Sequence, residues 1–250
     1  AHLGWSLAAK ADLIAIGAPY EDQAQLADAG SVYVRRGSGS LRRIQEDSDG
    51  VLGNAEVGDQ FGWSLAFAAG NALVVGVPYE NDDGPGRQVA SGKIDSGSVT
   101  VLKDVLAPTL TSLKIDSPSK TAGDKYGYAI AYSDSAGLAV SAPGPGYVQV
   151  FGKDFKPTRT VRGTAGFGLA LAASTDGRFA AASPDSVETT AGQSFPVAAS
   201  ALAFGGNRLY VGMPDGGRRG SVSYAGRNDS SLNALEPAKG EDFGAALGGG

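Results

Sequence analysis

The sequence has no cysteine, one histidine and one methionine among its 250 residues. Without cysteine there are no disulfides, thiolate metal sites or cysteine nucleophiles. The lone His2 leaves no imidazole set for zinc, and a Ser-His-Asp triad would have to use it without defined neighbours. Charge is sparse too. Only 19% of residues are charged and the formal net charge is −5. No basic stripe exists to neutralise phosphates, so nucleic acid is not an expected partner. No apolar run approaches the roughly 20 residues that span a bilayer, so this segment is not expected to insert into a membrane. No stretch keeps a 3.6-residue apolar period, and without helices there is no strand–loop–helix phosphate site.

Glycine, in contrast, is abundant: 38 residues against 12 prolines, with no collagen triplet. That density points to many tight turns. With 42% apolar residues, disorder throughout is not expected.

The glycines recur in register. Five segments run from an aromatic-Gly-like start to a Gly/Ser-x-Pro end: Leu3–Pro19, Phe61–Pro78, Tyr126–Pro143, Phe167–Pro184 and Val197–Pro214. A sixth begins at Phe243 and stops. A second element follows each proline at a variable distance, GSVYV at Gly30, GSVTV at Gly97, GYVQVF at Gly146 and GSVSY at Gly220. The fourth copy is degraded, with GQSF at Gly192 its nearest remnant.

Each repeat reads as four strands. Strand A is the aromatic-Gly-x-Ser-Leu-Ala piece. A Gly/Asn/Asp turn follows, as at Gly70-Asn71 and Asp176-Gly177, which is hairpin chemistry. Strand B, for example Leu73 to Val77, is short and nearly all apolar, the mark of a strand buried on both faces. Strand C alternates, as in Val32-Tyr33-Val34, and strand D is ragged, around Leu41–Ile44 and Leu110–Ile115. Consecutive four-stranded units predict an all-β propeller, since each sheet buries its faces only against its neighbours. The expected blades are 1–50, 51–116, 117–162, 163–196 and 197–240, with a sixth begun over 241–250, all within one domain. Only about a dozen residues separate Pro184 from the next repeat, too few for ordinary C and D strands, so a reduced blade or missing residues near 190–196 are expected.

The pattern Phe61-Gly62 … Gly76-Val77-Pro78, echoed by Gly17-Ala18-Pro19 and Ser141-Ala142-Pro143, resembles the FG-GAP repeat. That repeat builds the propeller of integrin α subunits and of many surface proteins. The resemblance spans essentially the whole chain. It implies a propeller of seven blades, of which this chain would be a part, and an extracellular or cell-surface binding or adhesion module. Two alternatives stay open: the non-catalytic propeller of a larger secreted enzyme, and a carbohydrate-binding lectin. Integrin-type repeats carry a calcium loop between strands A and B with carboxylates at alternate positions. Here those links offer only isolated acids such as Asp134 and Asp176. The chain looks like the subtype lacking that loop, and no metal site or cofactor is expected, with weak calcium binding by other acidic loops left open.

The resemblance also implies that the links from B to C and from D to the next A share the ligand-binding face. The first two B–C links, Tyr20–Ala29 and Tyr79–Ser96, are long and acidic, and the D–A links Asp47–Gln60 and Ser117–Lys125 would join them. Glu21, Asp22, Asp28, Glu80, Asp82 and Asp83 are therefore the candidate partner-binding rim for a protein or glycan, read otherwise as solvated loops. Asp28 and Asp95 stand two residues before a Gly-Ser and read better as turn residues. Trp5, Trp63 and Tyr128 hold equivalent positions and are expected to pack between blades, with a sugar-stacking surface as the other reading. Asn228-Asp229-Ser230 fits the N-glycosylation pattern in an expected C–D turn.

A propeller glycosidase needs two or three carboxylates around the channel that the innermost strands line. Those strands read GWSLAA, GWSLAFA, GYAIAY, GLALAA and AASALAF, with no acid among them. The expectation is a protein that is not an enzyme.

Overall fold

The computed structural model describes residues 2–81, 94–213, 220–235 and 245–247. Among them there is no helix, and so none long and apolar enough to cross a membrane. Twenty strands form five antiparallel sheets, each of four strands in sequential order. The chain makes two compact units, Ala1–Ile130 and Ala131–Gly250.

The first unit holds two sheets. One is β1 (Ser6–Lys10), β2 (Leu13–Ala18), β3 (Ser31–Arg36) and β4 (Arg42–Ile44); the other is β5 (Ser64–Phe67), β6 (Leu73–Val77), β7 (Ser98–Leu102) and β8 (Ser112–Asp116). Registers such as Ser6↔Gly17, Ala18↔Ser31 and Val32↔Ile44 bring the start of strand A, the end of B, the start of C and the end of D to the same end of a sheet. Strand β6 is buried along its whole length, as an all-apolar B strand should be, whereas β2 alternates.

The repeated motif has a packing cause, visible at two junctions in this unit. Ser6 Oγ donates to the Gly62 carbonyl at 2.7 Å, and Ser64 Oγ donates to the Gly127 carbonyl at 2.7 Å. The same carbonyls press on the glycine of the preceding Gly-x-Pro. A Cβ added at Gly76 would lie 2.1 Å from Gly127 O, and one at Gly17 would lie 2.2 Å from Gly62 O. Those positions take glycine because the neighbouring backbone occupies the place of a side chain. The aromatic of each pair is wholly buried. Phe61 and Tyr126 are held by N–H bonds to the Ala29 and Ser96 carbonyls and by parallel bridges to Gly30 and Gly97. Burial of such a ring contributes about 1.5–3 kcal/mol. One apolar cluster runs through this unit, with Leu13, Val34, Ile44, Phe61, Val75 and Leu102 among its members.

The second unit holds β9 (Ile130–Ser133), begun at the last residue of the first, with β10 (Gly137–Ala142), β11 (Tyr147–Phe151) and β12 (Pro157–Arg162). Then come β13 (Ala170–Ala173), β14 (Phe179–Ala182), β15 (Val187–Thr189) and β16 (Ser194–Phe195), and finally β17 (Ala201–Gly205), β18 (Arg208–Met213), β19 (Ser221–Ala225) and β20 (Asn233–Ala234). The fourth repeat is reduced rather than missing strands. Strand C is β15, three residues long and earlier than the GQSF stretch, which instead supplies strand D as two residues of β16. Thr189 and Gln193 close the connecting turn through Thr189 N–H to the Gln193 carbonyl at 2.9 Å, which spares the residues a longer loop would use. Most of the begun sixth copy, including Phe243, lies outside the described residues.

Candidate functional site

The B–C and D–A links of the first unit meet at one end and dock by backbone. Gly58 and Gln60 donate to the Ala27 and Asp28 carbonyls, and Gly123 and Lys125 repeat the contact with Ile94 and Asp95. Asp28 and Asp95 hold the left-handed conformation at φ 53° and 58°, the turn role their sequence context suggests. Each backbone N–H is received by a side chain of the same loop: Asp22 Oδ1 for Asp28 and Asn81 Oδ1 for Asp95.

The candidate rim acids therefore part company. Glu21 is turned inward, accepting from the Tyr33 hydroxyl at 2.9 Å and paired with Arg43 Nη2 at 2.5 Å. Asp22 is exposed and borders a shallow polar cleft with Gln23, Gln25, Arg43, Gln45 and Asp47. Asp28 serves the turn. Glu80 is no rim residue at all: it is 1% exposed. It follows the end of β6 so closely that its carboxylate stays within the fold. Asp82 and Asp83 lie outside the described residues.

Above this end runs a strip of aromatic rings. Trp5 and Trp63 lie 4.8 Å apart between centroids, and Trp63 and Tyr128 5.3 Å. Tyr20 meets Trp5 edge-on at 5.4 Å, Tyr79 meets Trp63 at 5.3 Å, and His2 meets Tyr20 at 5.0 Å. Strand A starts and B-strand ends contribute alternately because the A–B hairpin register puts them side by side. The rings do pack between neighbouring repeats, as expected, yet Trp5 is 47% exposed and Trp63, Tyr20, Tyr79 and Tyr128 are half-buried. Partial burial raises the phenol pKa values of Tyr79 and Tyr128, so these rings are neutral hydrogen-bond donors at physiological pH. Lys125 Nζ sits 5.1 Å from the Tyr79 ring.

Sequence reasoning missed a second feature, a buried charged cluster. Glu46 follows β4, Asp59 lies in the link to β5, Glu80 follows β6 and Lys114 belongs to β8. Lys114 Nζ pairs with Glu80 Oε2 at 2.8 Å, both side chains essentially inaccessible. Asp59 Oδ2 accepts the Glu56 N–H at 2.5 Å. Both Glu46 oxygens and Asp59 Oδ1 are buried without a hydrogen bond. Desolvation, then repulsion from Glu80, raises the Glu46 pKa well above the usual carboxyl range and that of Asp59 to about 8. Two long links and one strand converge here, and nothing local in the sequence marks Glu46 or Asp59.

The A–B links are quieter. Asp12 pairs with Arg36 across a well exposed surface. Asp176 accepts from the Ser174 hydroxyl and from Arg178, which lowers its pKa to about 2. Asn228 is exposed in the β19–β20 turn.

Residues 1–35 match the model of the FG-GAP repeat. No curated protein matches the chain. Among solved structures, selenomethionine-substituted virginiamycin B lyase from Staphylococcus aureus is similar over 98% of this chain and 73% of the lyase, with 7% identity and a TM-score of 0.69. A catalytically inactive form of the same lyase with quinupristin is similar over 99% of this chain and 75% of that one, with 8% identity and a TM-score of 0.67. These matches overturn the expectation of a non-enzyme: a propeller like this one carries a lyase. That expectation surveyed only the innermost strands, while links between strands also bring titratable groups together, as Glu46, Asp59 and Glu80 do here. The repeat and the fold together suggest a protein-interaction module. The five four-stranded sheets are propeller blades, and the first of them carries the FG-GAP repeat.

Proposed function

We propose that this chain is an extracellular or cell-surface binding module that takes its partner on the aromatic strip formed by Tyr20, Trp5, Trp63, Tyr79 and Tyr128. The observation that carries the reading is the contiguity of five rings, one of them half exposed, on a backbone fixed by the A–B hairpins. Rigid aromatics supply contact area at small entropic loss, and their hydroxyl and indole N–H groups add direction. A protein partner fits the interaction role of the repeat. A glycan is the second reading, favoured by the open face of Trp5, since sugar rings stack on exposed indoles. The acidic rim has a smaller part in this binding, because Glu21 is already paired with Arg43 and Glu80 is buried. An extracellular setting is supported by the likeness of the repeat to those of surface proteins.

The chain's two tryptophans both lie in the strip, so indole emission reports on it directly. Panels of immobilised oligosaccharides and of extracellular-matrix proteins give the probes, and solution titration follows emission. The expected result is saturable binding with an emission shift, weakened at least tenfold by Trp5→Ala in a variant of unchanged melting temperature. Full-strength binding by that variant would remove the strip from the interaction.

A further inference from the structure

We infer that Glu46, Asp59 and Glu80 form a site for one divalent, oxygen-seeking cation, of calcium's size, buried beneath the aromatic end of the first unit. Each residue offers one carboxylate oxygen, and these oxygens all lie within 4.8 Å of one another. The donors come from two links, Glu46 and Asp59 from opposite ends of the one between β4 and β5 and Glu80 from the one after β6, so a cation there ties together segments that the strands alone leave independent.

Three observations support a ligand rather than a chance grouping. First, Glu46 is fully buried and both its oxygens lack any hydrogen-bond partner, as does Asp59 Oδ1. A buried polar atom left without a partner is strongly disfavoured, and native structures rarely tolerate three in one place. Second, among the described residues the three carboxylates face one cationic side chain, Lys114, paired with Glu80 at 2.8 Å. Fully ionised, the four groups sum to −2, the charge one divalent cation cancels; Asp47 and Glu56 nearby add negative potential. Third, space is kept for the Glu46 carboxylate. Gly53, at φ +113°, sits where a Cβ would come within 2.6 Å of Glu46 Oε1.

The donor set selects the ion. All-oxygen ligation with no imidazole or thiolate suits calcium, magnesium or manganese rather than zinc or copper. The 4.8 Å limit on oxygen separation is about twice the ~2.3–2.6 Å calcium–oxygen distance. Magnesium, at ~2.0–2.1 Å with strict octahedral demands and slow loss of its waters, suits an all-protein carboxylate set less well. The A–B links, where the family resemblance would look for calcium, play no part.

The test uses the full chain, stripped with chelator and held at pH 8. Calorimetry with calcium chloride is expected to show one ion bound per chain, with magnesium at least tenfold weaker, and saturating calcium is expected to raise the melting temperature. Glu46→Gln keeps the shape and removes the donor charge; it should abolish the calcium-dependent rise. Manganese gives a readout on the unaltered protein, by selective broadening of the backbone amide resonances of Gly53, Ala55 and Glu56. Absence of calcium binding at millimolar concentration would overturn the proposal. So would a calcium response unchanged in Glu46→Gln, or manganese broadening confined to other segments.

Discussion

The second and fourth sheets share one plan and are filled differently. In the second, β6 packs Leu73, Val74, Val75 and Val77 between its neighbours with no exposed residue. In the fourth, β14 offers Phe179 and then three alanines, and a cleft of about 180 Å³ opens beside Ala180 and Ala181, lined also by Val148, Val150, Phe167 and Leu171. The links differ in the same sense. The second repeat spends a long B–C link and supplies Glu80 and Lys114 to a buried charged cluster, while the fourth closes the same connection within Ser183–Ser186. The difference teaches that the hydrogen-bonded meander tolerates a wide range of side-chain bulk. Individual character enters through the links, which vary without disturbing the ladders.

The largest effect should come from unbalancing the cluster that the fourth sheet lacks. Lys114→Met removes the buried cation paired with Glu80 at 2.8 Å and should destabilise by about 3–5 kcal/mol, read from denaturant midpoints at pH 7. The carboxyls give this sheet a pH signature too. In the folded state Asp59 holds its proton up to about pH 8, against 3.8 for the free group, and Glu46 shifts in the same direction. Between those values the folded state binds more protons than the unfolded one. Metal-free stability is therefore full below about pH 4 and declines as pH rises towards 8. A chelated sample followed by thermal melts across that window checks the sign, and Asp59→Asn should flatten the profile.

Next in size is the junction glycine. Gly76→Ala drives a methyl against the Gly127 carbonyl at 2.1 Å and should destabilise by about 1–3 kcal/mol. The third repeat carries Ser141 at the matching place, so Ser141→Gly should change the midpoint by less than Gly76→Ala. Equal effects would mean that the two junctions do not differ in closeness.

Filling volume should split the two sheets by sign. Ala181→Val puts methyl groups into the cleft and should stabilise by about 0.5–2 kcal/mol, whereas Val75→Ile enters a filled core and should destabilise by about 1–3 kcal/mol. Paired denaturant melts decide it. The smallest effect belongs to Arg36→Ala, which removes a surface ion pair with Asp12 at side-chain exposures of 63% and 54%; no change beyond the resolution of a melt is expected.

Much of this fold was legible because it repeats. Phe61-Gly62 and Gly76-Val77-Pro78 recur at matching places, and the first unit shows why: at both of its junctions a serine and a glycine of one repeat meet the Gly carbonyl of the next, so the local pattern reports a contact that is made again. The apolar run Leu73 to Val77 announced a strand buried on both faces for the same reason. The fourth repeat was harder to read, since strands of three and two residues carry too little periodicity to recognise.

The site divides in the same way. The equivalence of Trp5, Trp63 and Tyr128 was visible in the sequence, but whether their rings form an inner packing layer or an accessible strip was decided by exposure in the folded chain. Glu80 stood in the sequence as one acid of a candidate rim, read otherwise as part of a solvated loop. By itself the sequence determined the strand order, the turn chemistry and the apolar faces, because those follow from neighbours a few residues apart. Only the tertiary structure placed Glu46, Asp59, Glu80 and Lys114 together, because they come from two links and a strand far apart in the sequence and their burial and spacing exist only once those segments converge.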